Sequence, residues 1–225
     1  MSLYAGIDCG TQGTKVVIVD SEQGVILGEG SAPHRLISDS SGRREQQAAW
    51  WIDALVDAFQ QAVSQAGVDA RRIQALGVSG QQHGFVPLDE QGEVLHSVKL
   101  WCDTETADEN AALLAQLGGV SGSLAQLGLT VATGYTASKI LWFKQQHPEL
   151  WSRLRTVLLP HDYLNFWLTG ERVAEYGDAS GTGLLNVRTR EWDRRTVSLI
   201  DDSGRLWEAL PPLKSAESCI GTLRP

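Results

Sequence analysis

The first twenty residues restrict the fold of this chain more than any other segment. Leu3-Tyr-Ala-Gly-Ile-Asp-Cys-Gly-Thr-Gln-Gly-Thr-Lys-Val-Val-Ile-Val-Asp20 sets a short apolar run, a glycine- and threonine-bearing turn and a second apolar run in succession, the pattern of a β-hairpin. Gly6, Gly10 and Gly13 free the turn of Cβ obstruction, so its amides can converge on an anion, and Thr11 and Thr14 add hydroxyl donors. Asp8 stands where the first strand enters the turn. A carboxylate beside a polyphosphate repels it unless a cation lies between, which makes hydrated Mg²⁺ the natural partner of Asp8. A glycine turn that only reverses the chain is the other reading. The segment carries neither a G-x-x-x-x-G-K-[ST] signature nor a helix-opening G-x-G-x-x-G, so any phosphate device here is of another type.

Apolar periodicity extends the hairpin. Runs at 3–7, 15–19 and 25–30 predict a three-stranded antiparallel meander. Residues 46–66 repeat apolar side chains three and four apart, predicting an amphipathic helix that ends near Gly67. Residues 73–79 read as a buried strand that runs into Gly80-Gln-Gln-His-Gly84, and ligands gather in loops that follow strands of open α/β sheets. Short strands are expected at 85–88 and 94–100, and helices at 103–117, 137–146 and 162–168, with a glycine loop at 177–183. Lys139, Trp142 and Phe143 occupy mixed faces of the 137–146 helix, which places it beside a cleft. The chain contains no internal repeat.

With 225 residues and 42% apolar content, one large domain is the simpler expectation. A net charge of −8 with no basic cluster longer than two residues argues against nucleic acid as a partner. Cys9, Cys102 and Cys219 form no C-x-x-C pair, so a disulfide framework and a zinc site are both unsupported and a reducing cytoplasm is expected. No apolar run approaches the roughly 20 residues that span a bilayer, so no membrane is expected.

Together with these features, five further motifs point to a family. Gly6-Ile-Asp-Cys-Gly-Thr-Gln-Gly-Thr-Lys15 resembles the first phosphate loop of the sugar kinase, Hsp70 and actin superfamily. Arg44-Glu-Gln-Gln-Ala-Ala-Trp-Trp51, Gly77-Val-Ser-Gly-Gln-Gln-His-Gly84, Leu100-Trp-Cys-Asp103, Leu158-Leu-Pro-His-Asp-Tyr-Leu164 and Asp178-Ala-Ser-Gly-Thr182 follow in the order seen in the FGGY carbohydrate kinases. They most resemble the xylulokinase branch. The resemblance implies an α/β fold of the ribonuclease H-like (actin, Hsp70 and sugar kinase) type, a mixed β-sheet with helices on both faces. It also implies ATP and Mg²⁺ as cofactors, a small-molecule sugar as substrate, and transfer of the ATP γ-phosphoryl group to a ketopentose, D-xylulose first. Ribulose, gluconate and glycerol, or a non-catalytic sugar-binding lobe, are the alternatives. Residues 1–225 are expected to form the sugar-binding N-terminal domain, with 211–225 opening a linker. A homodimer is left open.

By the same resemblance, Gly10, Thr11, Gln12, Gly13, Thr14 and Lys15 are the expected phosphate- and ATP-binding residues, and Gln82, His83, Trp101 and Asp103 the expected sugar contacts. The family loop commonly reads Gly-Gln-Met-His-Gly, so Gln82 replaces a thioether with an amide and makes the pocket more polar. Read without the family, His83 is a loop histidine bonded to backbone, Trp101 a core residue and Asp103 the N-cap of the following helix. Trp50 and Trp51 read as core. Asp178 is expected to line or brace the cleft and not to act as base. The family's base lies in a Gly-Gly-x-x-Asp motif absent from these 225 residues, so the chain alone is expected to turn over negligibly. His34, His96, His147 and His161 are expected to be solvated or capping.

Overall fold

A computed structural model describes residues 2–224. In chain order, β1 (Leu3–Cys9), β2 (Gly13–Asp20) and β3 (Val25–Pro33) form the expected meander. The short strands β4 (Ile37–Ser38) and β5 (Arg44–Gln46) lead to helix α1 (Ala48–Ala66) and strand β6 (Ile73–Gly80). Next come β7 (Val86–Leu88), β8 (Val98–Lys99), α2 (Ala107–Gln116), α3 (Gly119–Leu127), α4 (Thr136–Gln146) and α5 (Pro148–Arg153). They are followed by β9 (Thr156–Leu158), α6 (Pro160–Thr169), β10 (Ala174–Glu175) and α7 (Tyr176–Ala179). The last elements are β11 (Leu185–Asn186), β12 (Glu191–Trp192), α8 (Arg194–Ile200), α9 (Arg205–Ala209) and β13 (Leu213–Lys214). Residues 1–36 with 46–81 make one compact unit, and residues 37–45 with 82–225 make a second. Chain length alone does not reveal this division, because the second unit takes in a segment from between β3 and α1.

The first unit is a mixed sheet in the order β3-β2-β1-β6. β1 is antiparallel to β2 and parallel to β6, with Asp8 opposite Lys15 on one side and Ser79 on the other. Alternation along β1 and β2 buries Leu3, Ala5, Ile7, Cys9, Val16 and Ile18, while Tyr4 and Lys15 stay exposed. The apolar face of α1, with Trp51, Leu55, Ala58 and Ala62 buried, packs on β3 and β2. A Cβ at Gly30 would lie 2.0 Å from the Ala58 carbonyl oxygen, so this close approach requires glycine. α1 ends at Gly67, in the left-handed conformation with φ 63°. Of the paired tryptophans, Trp51 is fully buried, whereas Trp50 is half-buried and lies 4.7 Å from the Arg35 guanidinium. The helical period separates the two neighbours onto different faces.

The second unit is mainly helical. A core cluster there gathers Phe85, Leu113, Ile140, Phe143, Trp151, Leu154, Val197 and Leu206. The helix expected from residue 103 starts at Ala107, after a turn in which Asp103 accepts the Glu105 N–H at 3.1 Å. Asp103 is therefore an Asx-turn residue ahead of the helix, not its N-cap. The ending around 211–225 contains β13, paired in parallel with β10, a two-residue strand too short to register as periodicity.

Candidate functional site

In the first unit the 10–13 turn closes on itself, with the Gly10 N–H donating to the Gly13 carbonyl at 3.0 Å. That amide is therefore not available to an anion. Glycine at position 13 is required by the neighbouring strand, since a Cβ there would come 2.6 Å from the Ala32 carbonyl oxygen. Asp8 and Lys15 are exposed as cross-strand neighbours, and the Ser79 hydroxyl donates to Asp8 Oδ1 at 3.1 Å. Gln12 is exposed and Thr11 half-buried. Thr14 departs from its expected role: it is fully buried, and its hydroxyl lies 2.9 Å from His34 Nε2. Strand alternation turns Thr14 toward the covered face and Lys15 toward solvent. His34 in turn reaches the Gly10 carbonyl through Nδ1 at 3.1 Å and supports the turn from beneath. Burial lowers its pKa and favours the neutral ring.

Gln46 fixes the same turn. Its amide donates to the carbonyls of Thr11 and Arg35, each at 2.9 Å, and its Oε1 accepts from Trp51 Nε1 at 2.9 Å and Gln81 Nε2 at 3.0 Å. Every donor and acceptor position of this buried amide is used. The Trp51 indole is a donor only, which fixes the orientation of the amide.

In the second unit the structure gathers His83, Trp101 and Asp103 around the start of α4. His83 has φ 62°, in the left-handed region. Its carbonyl accepts from Lys139 Nζ at 2.7 Å and Thr136 Oγ1 at 3.3 Å. Lys139 Nζ also donates to the Gly134 carbonyl at 2.7 Å, and a Cβ at Gly134 would meet the Trp101 carbonyl oxygen at 2.4 Å. The ring of His83 stands 4.7 Å from that of Tyr135. Burial, together with the Lys139 charge, lowers the His83 pKa and favours a neutral imidazole, able to donate at one nitrogen and accept at the other. Burial also pushes Lys139 down to about 7. Gln82 is exposed and Trp101 is 50% exposed, so Trp101 is not the core residue its hydropathy suggests.

Asp103 is fully buried. Its Oδ2 accepts the Arg44 N–H at 2.7 Å and lies 3.3 Å from Lys99 Nζ. Lys99, itself 1% exposed, also contacts Glu45 Oε1 at 3.1 Å and Glu105 Oε2, and lies 4.0 Å from the centre of the Trp142 ring. The expected sugar contact thus spends its carboxylate inside the fold, anchoring the turn that carries Trp101.

His161 is neither solvated nor capping. Its Nδ1 lies 2.7 Å from Asp178 Oδ2 and its Nε2 3.1 Å from Asp162 Oδ1, and all three residues are buried. Burial opposes the charge on His161, but the two carboxylates prevail and raise it to about 9. The sequence signal was the quoted Leu-Pro-His-Asp motif, whose His had no partner at a metal-ligand spacing. Its partner comes from seventeen residues further along.

A sequence profile of the FGGY family of carbohydrate kinases, N-terminal domain, matches residues 3–225. The chain belongs to the FGGY carbohydrate kinases. The xylulose kinase of Haemophilus influenzae is 48% identical over 227 residues, covering 99% of this chain and 46% of that protein. The chain therefore spans just under half the length of this FGGY relative. Among solved structures, a xyloylose kinase from Brucella ovis superposes with TM-score 0.90 at 32% identity, over 99% of this chain and 45% of its own. A gluconate kinase from Lactobacillus acidophilus superposes with TM-score 0.87 at 25% identity, over 99% and 44%. The α/β fold with a mixed sheet is thus the actin- and Hsp70-like fold of FGGY sugar kinases.

Proposed function

We propose that residues 1–225 form the sugar-binding N-terminal domain of a kinase that transfers the γ-phosphoryl group of ATP to D-xylulose, with 211–225 leading toward a second domain. The likeness to a xylulose kinase along 99% of the chain carries this reading. His83 and Gln82 are the proposed hydroxyl contacts. The former offers an imidazole that burial keeps neutral, on a loop tied through its carbonyl to Lys139 and Thr136, the latter an exposed amide. Trp101 offers a half-exposed aromatic face to the carbon side of a sugar.

The residues of the first unit fit a nucleotide with Mg²⁺. Mg²⁺ keeps most of its waters and takes one or two carboxylates, and Asp8 presents an exposed carboxylate with one oxygen bonded to Ser79. Asp8 would hold the hydrated ion, and Thr11, Gln12, Gly13 and Lys15 would face the phosphates. Gly10 and Thr14 contribute by shaping the turn. When bound, ATP supplies the phosphoryl group and Mg²⁺ offsets its charge. The general base is proposed to lie outside these residues, so the chain alone forms no measurable ADP.

Gln82, together with the likeness to a gluconate kinase, supports a second reading, an FGGY kinase for another polyol. Calorimetric titration of the chain with D-xylulose, gluconate and glycerol separates the two, with His83→Ala as control. Saturable binding of D-xylulose that the variant loses is expected. Tighter binding of gluconate or glycerol would overturn the ketopentose assignment.

A further inference from the structure

Two segments without an assigned chemical role meet the His83 loop from different directions. Pro160, the first residue of α6, lies under the loop, where a Cβ at Gly84 would come 2.6 Å from Pro160 Cγ. The turn after α7 lies against the ring, where a Cβ at Gly181 would come 2.1 Å from His83 Cε1 and 2.5 Å from Nδ1. The link between the two segments is His161, next to Pro160, bonded at 2.7 Å to Asp178, three residues before Gly181.

We propose that His161 and Asp178 are positioning residues for His83: their bond fixes the Gly181 backbone against the imidazole and sets the ring's orientation in the sugar pocket. The proposal rests on the reading of His83 as a sugar contact. A buried cluster of opposite charges is costly compared with an apolar contact of the same volume. Simple packing of α6 on α7 therefore does not call for one. The charged groups facing His161 are Asp178 on α7, Asp162 on its own helix and Glu175 before α7. Glu175 also accepts the Asp178 N–H at 3.0 Å, so the turn is held at both ends of the link. The His83 carbonyl is already tied to Lys139 and Thr136. What remains free is the ring torsion, and Gly181 limits it.

The test is histidine Cε1–H correlation spectroscopy on the 225-residue chain, whose five histidines give a resolvable set. In the wild type, the His83 resonance should show a step at the midpoint read independently from the His161 resonance, as well as its own. Asp178→Asn should lower the His161 midpoint and shift the His83 resonance. Gly181→Ala should shift His83 and leave the His161 midpoint in place. Misplacement by about 1 Å can cost up to about a hundredfold, and roughly tenfold weaker D-xylulose binding is expected for Asp178→Asn.

The proposal is overturned if His83 titrates in the wild type without a step at the His161 midpoint, a result that needs no variant to fold. It is equally overturned if folded Asp178→Asn, or His161→Gln in its place, leaves the His83 resonance unmoved. A wild-type chain that shows the coupled step but binds none of the sugars would sink the sugar reading and leave the positioning link standing.

Discussion

The 10–13 turn and the surroundings of His83 are held in place by opposite kinds of polar group. Beneath the turn lie neutral partners: the Gln46 amide, the Trp51 indole, the Gln81 amide and the uncharged His34 ring. Around His83 and Trp101 the supports include ion pairs, with Lys99 among three carboxylates and His161 between Asp162 and Asp178, while the Lys139 amine, pushed down to about 7 by burial, bonds two carbonyls. A neutral network is satisfied bond by bond and keeps its strength across pH. A buried charge depends on its counter-charges, so losing one partner leaves the other uncompensated. The two proposed sites should therefore fail differently.

The largest effect is expected from Lys99→Met. It leaves the fully buried Asp103 without its Lys99 partner and the buried Glu45 with Arg43 alone, and the loss of one partner from a buried pair costs about 3–5 kcal/mol. Urea unfolding measures this, and a loss below about 1 kcal/mol would mean that water reaches those carboxylates. Gln46→Leu comes next. It strands the Trp51 and Gln81 donors and two carbonyls, at about 1–3 kcal/mol for each buried group left unsatisfied, for a total of roughly 3 kcal/mol if the site partly relaxes. The loss should be the same at pH 6 and pH 9, and a strong pH dependence would erase the contrast between the two regions.

His161→Gln gives the smallest effect at neutral and higher pH, and the one that changes most. The folded chain holds the His161 proton more tightly than the unfolded chain, so the contribution is complete below pH 6.5 and is lost as pH rises through about 9. A change from 6.5 to about 9 corresponds to at most about 3–4 kcal/mol in acid, at about 1.4 kcal/mol per tenfold change in proton affinity. The stability gap between wild type and variant should close by about pH 10. A gap that widens with pH would reverse the assigned charge state.

The meander, α1 and the span of β6 were legible because each is long enough for its pattern to show, but the buried strand expected at 73–79 is half-buried or exposed at every position. The exposure of Asp8 and Lys15 at the facing ends of β1 and β2 was legible from strand alternation, whereas the roles assigned to them and to His83 remain proposals. Thr14 was misassigned, since membership of a turn motif does not tell which face of the emerging strand a residue takes. Asp103 and His161 share another cause. Arg44, which bonds Asp103, and Asp178, which bonds His161, arrive by tertiary approach, and a carboxylate bound for burial looks the same in sequence as one bound for a ligand even where, as with Lys99, one partner is only four residues away. Lys139 shows the same limit, because its mixed helical face suggested a cleft border and the structure buries it fully.

The ring of His83 and the bare backbone of Gly181 occupy complementary space, with 2.1 Å between Cε1 and the place a methyl group would take. A change at one of the two positions is therefore felt at the other. A lineage that gains any side chain at 181 must shrink or rotate the residue at 83. If the His83 loop meets a sugar as proposed, drift in preference would leave its trace in a glycine-rich turn far along the sequence from that loop.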